Sequence, residues 1–113
     1  MRPVVAHPER YQAVQRNPEI VGEWFERGYG IQLNKGSILG HFGRREKQTA
    51  EWILENGLAH VVASDAHGAE QRTTHMGEIR NLLENVYGEN YAQLLLEDNP
   101  RRIIKDMELA SVF

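Results

Sequence analysis

The sequence predicts an α/β fold built on a parallel sheet. Apolar segments at 3–6, 30–33 and 60–64 are short enough to be strands, and they recur roughly every 27 to 30 residues with helical sequence between them. The first and third segments are predicted to be buried strands. A βαβαβα series of this kind requires crossover connections, which join parallel strands and are right-handed. The expected architecture is therefore a parallel α/β layer or barrel.

Helix start and stop signals lie between and after these strands. Asn17 is a favourable N-cap, Pro18 suits the first helical position, and Gly28 ends the helix that follows. A polar turn is predicted at 35–37. Further helices are predicted at 44–56, 75–87, 90–98 and from Asn99-Pro100 onward.

Length and composition indicate one soluble globular domain. The 113 residues carry a net charge of −3, which implies no particular partner, and 1–106 are assigned to the domain and 107–113 to a tail. No basic cluster indicates nucleic acid, and no apolar run forms a signal-peptide core or approaches the roughly 20 residues of a membrane span. The expected location is the cytoplasm. No cysteine is present, which excludes disulfides, thiolate zinc sites and a cysteine nucleophile.

Polar side chains follow the predicted strands at their carboxyl ends, and the candidate metal ligands among them are His7, Asp65 and His67. His7 follows the first strand and Asn34 follows the second. Asp65 and His67 follow the third strand, and two residues this far apart in extended chain project to the same side, so both can reach one cation. Because function in parallel α/β folds collects at the carboxyl ends of strands, these residues predict a shared metal site.

Each of these residues also has an ordinary structural interpretation. An aspartate after a strand is more often a turn or capping residue, and a histidine such as His7, before a proline, can be a buried, hydrogen-bonded side chain. Glu9 and Arg10 can form an exposed ion pair. Structural or surface positions are assigned to the remaining histidines, His41, His60 and His75.

Two arginines point to phosphate chemistry. Arg10 lies three residues after His7. Arg72 lies five residues after His67, so both guanidinium groups can reach the same strand ends. Planar guanidinium groups match phosphate oxygens through paired hydrogen bonds, although either arginine alone is more often a solvated loop residue. Nitrogen and oxygen ligands, two arginines and no cysteine together favour metal-assisted hydrolysis of a phosphate ester.

Motifs in this sequence resemble those of a known family. They are Ala6-His7-Pro8-Glu9-Arg10-Tyr11, Leu33-Asn34-Lys35-Gly36-Ser37 and Ala63-Ser64-Asp65-Ala66-His67, followed by Asn99-Pro100-Arg101. In this order and spacing they resemble the second half of the bacterial protein-tyrosine phosphatases of the polymerase-and-histidinol-phosphatase (PHP) type, in the CpsB/YwqE group. The resemblance runs nearly end to end, and these motifs are far more specific than Asp-x-His alone.

The resemblance implies a fold, an activity and a set of site residues. The fold would be part of a distorted TIM-like (β/α) barrel. The activity would be removal of phosphate from tyrosine, on bacterial tyrosine kinases that control capsule or exopolysaccharide synthesis. The cofactor would be a cluster of divalent metal ions, commonly manganese, with iron, cobalt or zinc as alternatives. His7, Asp65 and His67 would be metal ligands, and Arg10 and Arg72 would hold the phosphoryl group while water attacks without a covalent enzyme intermediate.

One family feature is absent from the sequence. Members begin with a His-x-His pair on the first strand, and no such pair occurs here. The sequence is therefore expected to hold only the later part of the barrel, with too few protein ligands for a complete metal cluster. Exposed strand edges are then expected to pair with a second copy, as a homodimer or a swapped assembly.

Two alternatives to a tyrosine phosphatase follow from the same residues. One is another phosphoesterase of the PHP superfamily, acting on histidinol phosphate, a sugar phosphate or a nucleic-acid end. The other is an inactive fragment that binds a partner, which predicts neither bound metal nor turnover. A substrate panel distinguishes the first alternative, and metal analysis distinguishes the second.

Overall fold

Short parallel strands form the sheet at the centre of the fold. The computed structural model describes residues 3–63 and 76–104, with the backbone alone described at 76, 103 and 104. Strands β1 (Val4–Ala6), β2 (Gly30–Asn34) and β3 (Val61–Ala63) lie in the order β1-β2-β3, and both pairs are parallel. The parallel α/β fold expected from the sequence is confirmed.

The register of the sheet aligns the carboxyl ends of the strands. Ala6, the last residue of β1, pairs with Gln32, and Asn34, the last residue of β2, pairs with Ala63, the last residue of β3. The backbone amide of His7 extends the first pairing by donating to the Gln32 carbonyl at 2.7 Å. Residues that follow these strands therefore leave the sheet at one edge.

Helices connect and follow the strands close to the predicted positions. Gly28 and Gly57 end their helices with φ angles of 88° and 69°, which glycine adopts without strain. The helices are α1 (Gln12–Arg16), α2 (Glu19–Glu26), α3 (Lys35–Leu39), α4 (Arg44–Glu55), α5 (Met76–Tyr87), α6 (Glu89–Gln93) and α7 (Asn99–Ile104).

The prediction of a turn at 35–37 is wrong, because these residues begin helix α3. The Asn34 side chain caps this helix by accepting a hydrogen bond from the Gly36 amide at 2.7 Å. Asn34 has an extended backbone, as N-cap residues do, so the strand passes directly into the helix.

The predicted helix start at Asn99 also differs from the structure. Helix α6 continues into a π-helical turn, Leu94–Asp98, and α7 follows without a break. Asn99 therefore has helical φ and ψ angles of −71° and −40° and is not an N-cap. Its fully buried side chain instead donates to the His60 carbonyl at 2.8 Å and ties α7 to the residue before β3.

Burial distinguishes β1 from the other two strands. Ile31 and Leu33 of β2 are fully buried, and Val61 and Val62 confirm the prediction that the third strand is buried. Val4 of β1 is 37 % exposed, so the prediction of a buried first strand is wrong at its start. The reason is that β3 also packs against the turn Leu94–Asp98, whereas the main contacts of β1 with other described elements are those with β2.

The hydrophobic core lies between the sheet and the helices packed on it. Its fully buried side chains outside the strands come from α1, α2, α4, α5 and the α6 region, and include Val14, Val21, Ala50, Ile53, Ile79, Leu83 and Leu95. This packing makes the sheet a rigid support for the residues at its carboxyl edge. Among the described helices none is long and apolar enough to cross a membrane. The predicted tail at 107–113 lies outside the described residues.

Candidate functional site

His7 turns the chain away from the carboxyl edge of the sheet. Its φ and ψ angles are 38° and 57°, the one left-handed conformation of a residue other than glycine in the described ranges. Such a conformation costs about 1–3 kcal/mol and is typical of functional sites. The hydrogen bond from the His7 amide to Gln32, and one of 3.1 Å from the Arg10 amide to the His7 carbonyl, hold it in place.

A 3-10 turn, Pro8–Arg10, follows His7 and is closed by Tyr11. The Tyr11 amide donates to the Pro8 carbonyl at 3.0 Å, and the Tyr11 hydroxyl donates to the Ala6 carbonyl at 2.9 Å. The Tyr11 ring also meets the His7 ring edge-on, with 5.9 Å between the ring centroids. These contacts hold the turn, and with it the side chains of His7, Glu9 and Arg10, in a fixed position.

Glu9 is fully buried beneath this turn. Its Oε2 atom accepts a hydrogen bond from the Asn34 amide at 3.0 Å. Burial raises the pKa of the Glu9 carboxyl, while the Ser37 hydroxyl and the Asn34 amide oppose that rise. The interpretation of Glu9 and Arg10 as an exposed ion pair is wrong, because the carboxylate points into the protein.

Three buried polar atoms of the site make no hydrogen bond within the described part of the chain. They are Nδ1 of His7, Oε1 of Glu9 and Oγ of Ser37. The three groups lie at the end of β2, because His7 and Glu9 are bonded to Gln32 and Asn34 of that strand and Ser37 is in the first turn of the helix that Asn34 caps. Because buried polar groups without a partner are costly, this cluster marks a place built to receive a further partner.

Arg10 is held in place by an aromatic ring. Its guanidinium carbon lies 4.4 Å from the centroid of the Phe42 ring, in a cation–π contact. Both side chains are exposed, and Phe42 retains 39 % of its accessible surface. Stacking fixes the plane of the guanidinium group, and a planar guanidinium suits binding of an anion with several oxygens.

Asn34, one of the residues predicted at the strand ends, positions the site through its own backbone. Its side-chain oxygen caps α3 and its amide donates to Glu9, and the residue is 6 % exposed. Asn34 therefore joins β2 to the site through its backbone amide and to α3 through its side chain.

The structure confirms the assignments of His60 and His41. His60 is 3 % exposed, its Nδ1 atom accepts from the Ile31 amide at 3.0 Å, and its ring stacks on Phe25 at 5.0 Å between centroids. His41 is exposed in the turn before α4. His75 lies outside the described residues, so its assignment stays a prediction.

The predicted site residues Asp65, His67 and Arg72 also lie outside the described residues. Within 3–63 and 76–104, no group of three or more histidine or acidic side chains could hold a metal ion. His7 nonetheless fits a metal ligand. Its Nδ1 atom is buried while the residue as a whole is half-buried, which leaves Nε2 as the nitrogen that can reach a cation.

The sequence did not indicate the roles of Glu9, Ser37 and Phe42. Glu9 stands between His7 and Arg10 in one motif, and that position was the available signal for it. The role of Phe42 depends on its contact with Arg10, which is far away in the sequence, and no local sequence pattern indicates such a contact.

Comparison with known proteins gives a consistent match. The family model described as capsular polysaccharide synthesis, CpsB/CapC, matches residues 1–105. The tyrosine-protein phosphatase CpsB of Streptococcus pneumoniae is 38 % identical over 109 residues, which cover 92 % of this chain and 45 % of the relative. The tyrosine-protein phosphatase YwqE of Bacillus subtilis is 36 % identical over 96 residues, which cover 85 % of this chain and 38 % of the relative.

A solved structure matches the fold over the same region. It belongs to the crystal structures of YwqE from Bacillus subtilis and CpsB from Streptococcus pneumoniae, described as unique metal-dependent tyrosine phosphatases. The TM-score is 0.84 at 32 % identity, over 97 % of this chain and 44 % of that chain. The predicted fold class, a parallel α/β part of a PHP-type barrel, is confirmed by this match. The chain spans less than half the length of the relatives that it matches.

Proposed function

This chain belongs to the capsular polysaccharide synthesis family CpsB/CapC, and on that basis we propose that it supplies part of the active site of a metal-dependent protein-tyrosine phosphatase. The observation that carries the proposal is the arrangement at the carboxyl edge of the sheet. There His7, Glu9 and Arg10 share one turn, anchored to the end of β2 through Asn34. Relatives that are 36 % and 38 % identical are named tyrosine-protein phosphatases.

Each described residue of the site has one task in this proposal. His7 would hold a divalent metal ion, with Nε2 as the available nitrogen, and Arg10, fixed by Phe42, would bind the phosphoryl oxygens and stabilise charge that develops on them. When bound, the metal ions would activate a water molecule for attack on phosphorus and neutralise negative charge. Asp65 and His67 would complete the ligands that this chain provides, and Arg72 would be the second phosphate-binding residue.

The substrate and the metal are proposed in more detail from the family resemblance. The metal is manganese, and the substrate is a phosphorylated bacterial tyrosine kinase of capsule or exopolysaccharide synthesis, dephosphorylated in the cytoplasm. The nitrogen and oxygen ligands of the site suit a divalent cation of this kind. A substrate panel with a phosphotyrosine peptide, histidinol phosphate and a sugar phosphate tests the choice of substrate.

A second polypeptide segment is proposed to pair with the edges of the sheet. In the described part of the chain, β1 and β3 each pair with β2 alone, so each presents an open edge. This supports a homodimer or a swapped assembly, in which the second copy covers an edge and adds ligands to the metal site. Light scattering of the purified chain measures the oligomeric state directly.

Hydrolysis of p-nitrophenyl phosphate tests the proposed activity. With Mn²⁺ the purified chain should hydrolyse this ester, a metal chelator should abolish turnover, and Arg10→Ala should lower it by about 100-fold, as loss of one charge-stabilising donor does. Arg16→Ala is the matched control, because Arg16 is an exposed arginine at the end of α1. Turnover that survives chelation would contradict the proposal, and so would the absence of turnover with Mn²⁺ present. If the chain shows no turnover and also binds no metal, the inactive fragment is favoured.

A further inference from the structure

Two of the atoms without a partner have complementary chemistry. Nδ1 of His7 and Oε1 of Glu9 are both buried, and neither makes a hydrogen bond within the described residues. An imidazole nitrogen can donate a proton, and a carboxylate oxygen can accept one. Hydrogen bonds fix both residues to the same end of β2, since the His7 amide donates to the Gln32 carbonyl at 2.7 Å and Oε2 of Glu9 accepts from the Asn34 amide at 3.0 Å.

The remainder of Glu9 is fixed in place. Its Oε2 atom accepts from the Asn34 amide at 3.0 Å, and its main-chain carbonyl accepts from Nε2 of Gln15 at 3.0 Å. These contacts come from β2 and from α1, on either side of the turn. With one carboxylate oxygen tied down, the direction of Oε1 is set by the fold.

The position of a metal ion on His7 dictates which nitrogen carries the proton. A neutral imidazole has one N–H group, and a metal ion binds the other nitrogen through its lone pair. Because Nδ1 is buried, Nε2 is the nitrogen that can reach a cation, so the proton must reside on Nδ1. A buried N–H of this kind needs an acceptor, and histidines that bind metals usually donate it to a carboxylate, a carbonyl or a water.

We propose that Glu9 is a positioning residue that holds His7 in the tautomer with its proton on Nδ1, directly or through one buried water, and so presents Nε2 to the metal. A water in this place could also bind the Ser37 hydroxyl, which would give partners to all three unsatisfied atoms. The proposal rests on the metal-dependent function proposed above. The tautomer itself, however, is a property of the protein without metal.

The tautomer of His7 can be read by long-range ¹H–¹⁵N correlation spectra of the metal-free chain at pH 8. The wild-type protein should show the proton on Nδ1. In Glu9→Gln the amide oxygen must still accept from the Asn34 amide, so the NH₂ group would face His7 and donate to Nδ1. His7 should then carry its proton on Nε2. A wild-type spectrum with the proton on Nε2 would overturn the proposal, whatever the variant does.

Metal affinity gives a second readout. Glu9→Gln should weaken Mn²⁺ binding, measured by calorimetry, by about 10- to 100-fold, as loss of a partner behind a metal-binding histidine does. The matched control is Gln15→Ala, which cuts the main-chain contact to Glu9 but keeps the carboxylate, and it should leave both tautomer and affinity unchanged. Equal Mn²⁺ affinity in wild type and Glu9→Gln, with both folded, would also overturn the proposal.

Failure of this inference can be told apart from failure of the proposed function. A wild-type Nδ1–H tautomer that reverses in Glu9→Gln, in a chain without turnover, would support the role of Glu9 and contradict the phosphatase. Turnover that depends on Mn²⁺, together with a His7 tautomer that is the same in wild type and Glu9→Gln, would support the phosphatase and contradict the role of Glu9.

Discussion

Oε2 of Glu9 accepts a hydrogen bond from the backbone amide of Asn34, 3.0 Å away, across 25 residues of sequence. This contact ties the turn after β1 to the residue that ends β2 and caps α3. The contact therefore joins the carboxyl ends of β1 and β2 directly. Because His7 and Arg10 lie on either side of Glu9 in the chain, this contact also helps to position them.

Gly36 limits the space beneath Phe42, and its substitution is expected to disturb Arg10. A Cβ atom at Gly36 would lie 2.7 Å and 3.0 Å from Cε2 and Cζ of the Phe42 ring. The exposed ring can swing aside, and the Cβ would also lie 3.2 Å from Oδ1 of Asn34, which caps α3, so Gly36→Ala should lower stability by no more than about 1 kcal/mol. Arg10 would then lose a stacking contact worth about 0.5–1 kcal/mol, and the dissociation constant for inorganic phosphate should rise about two- to fivefold.

The control for this variant is Gly22→Ala in helix α2. The nearest atom to a Cβ at Gly22 is Cδ1 of Leu58, at 4.0 Å, so the substitution meets ordinary contact distances. Phosphate binding should be unchanged and stability should rise by about 0.5–1 kcal/mol, because alanine favours a helix interior over glycine. Equal phosphate affinity in both variants would show that Phe42 does not position Arg10.

His60→Ala is expected to destabilise the fold strongly. The substitution leaves the Ile31 amide without its acceptor in a buried position, which costs about 1–3 kcal/mol. It also removes the stacking on Phe25, worth about 0.5–1.5 kcal/mol. The free energy of unfolding in urea should therefore fall by about 2–4 kcal/mol. His41→Ala, at an exposed position, should change it by less than about 0.5 kcal/mol, and similar losses in both would refute the structural role of His60.

Asn99 offers a comparison of two substitutions at one buried site. Asn99→Ala removes the donor to the His60 carbonyl and should cost about 1–3 kcal/mol. Asn99→Asp keeps the size and the acceptor for Nη1 of Arg102, 3.2 Å from Oδ1, but turns the other carboxylate oxygen toward the buried His60 carbonyl, so at pH 7 the loss of stability should be larger than for alanine. Thermal unfolding measures both. An aspartate variant more stable than the alanine variant would mean that Asn99 does not donate to His60.

Because the Tyr91 hydroxyl is buried, the stability of the fold is expected to depend on pH in the alkaline range. Its buried hydroxyl donates to the Leu54 carbonyl at 3.1 Å, and burial raises its pKa well above the usual value near 10. The unfolded chain therefore loses this proton first, and the stability that Tyr91 contributes is complete below pH 10 and falls as pH rises above it. Tyr91→Phe should be less stable at pH 8, by about 1 kcal/mol, and the difference should shrink at pH 11.

A matched substitution separates this effect from general alkaline unfolding. Tyr11→Phe serves as the matched control, because it removes an exposed hydroxyl that donates to the Ala6 carbonyl. A gap between wild type and Tyr91→Phe that stays constant from pH 8 to pH 11 would contradict the assignment of the titrating group.

The elements of this fold could be predicted because each carries a local signal. The apolar segments predicted the strands, and Gly28 marked a helix end because a left-handed conformation suits glycine. The placement of His7 and Asn34 at one edge then followed from the parallel order of the strands. The family resemblance, confirmed by the match to residues 1–105, drew on the same short motifs.

The remaining features depend on partners that lie far away in the sequence. Glu9 is buried because Asn34 offers it an amide, and nothing beside Glu9 in the chain indicates this. Asn99, which precedes a proline, has the sequence pattern of an N-cap. In the structure its side chain donates to the His60 carbonyl, and the helix continues through Asn99. The roles of Asp65, His67 and Arg72 stay predictions.

Paramagnetic broadening by Mn²⁺ tests most directly whether the carboxyl edge of the sheet is a metal site. Mn²⁺ is added to the ¹⁵N-labelled chain at a small fraction of the protein concentration, and backbone amide signals are followed. Signals of His7, Arg10 and Asn34 should broaden first, and those of Gly28 and Gly57, before the amino ends of β2 and β3, should broaden last. Even broadening of all signals, or earliest loss at Gly28 and Gly57, would contradict the account.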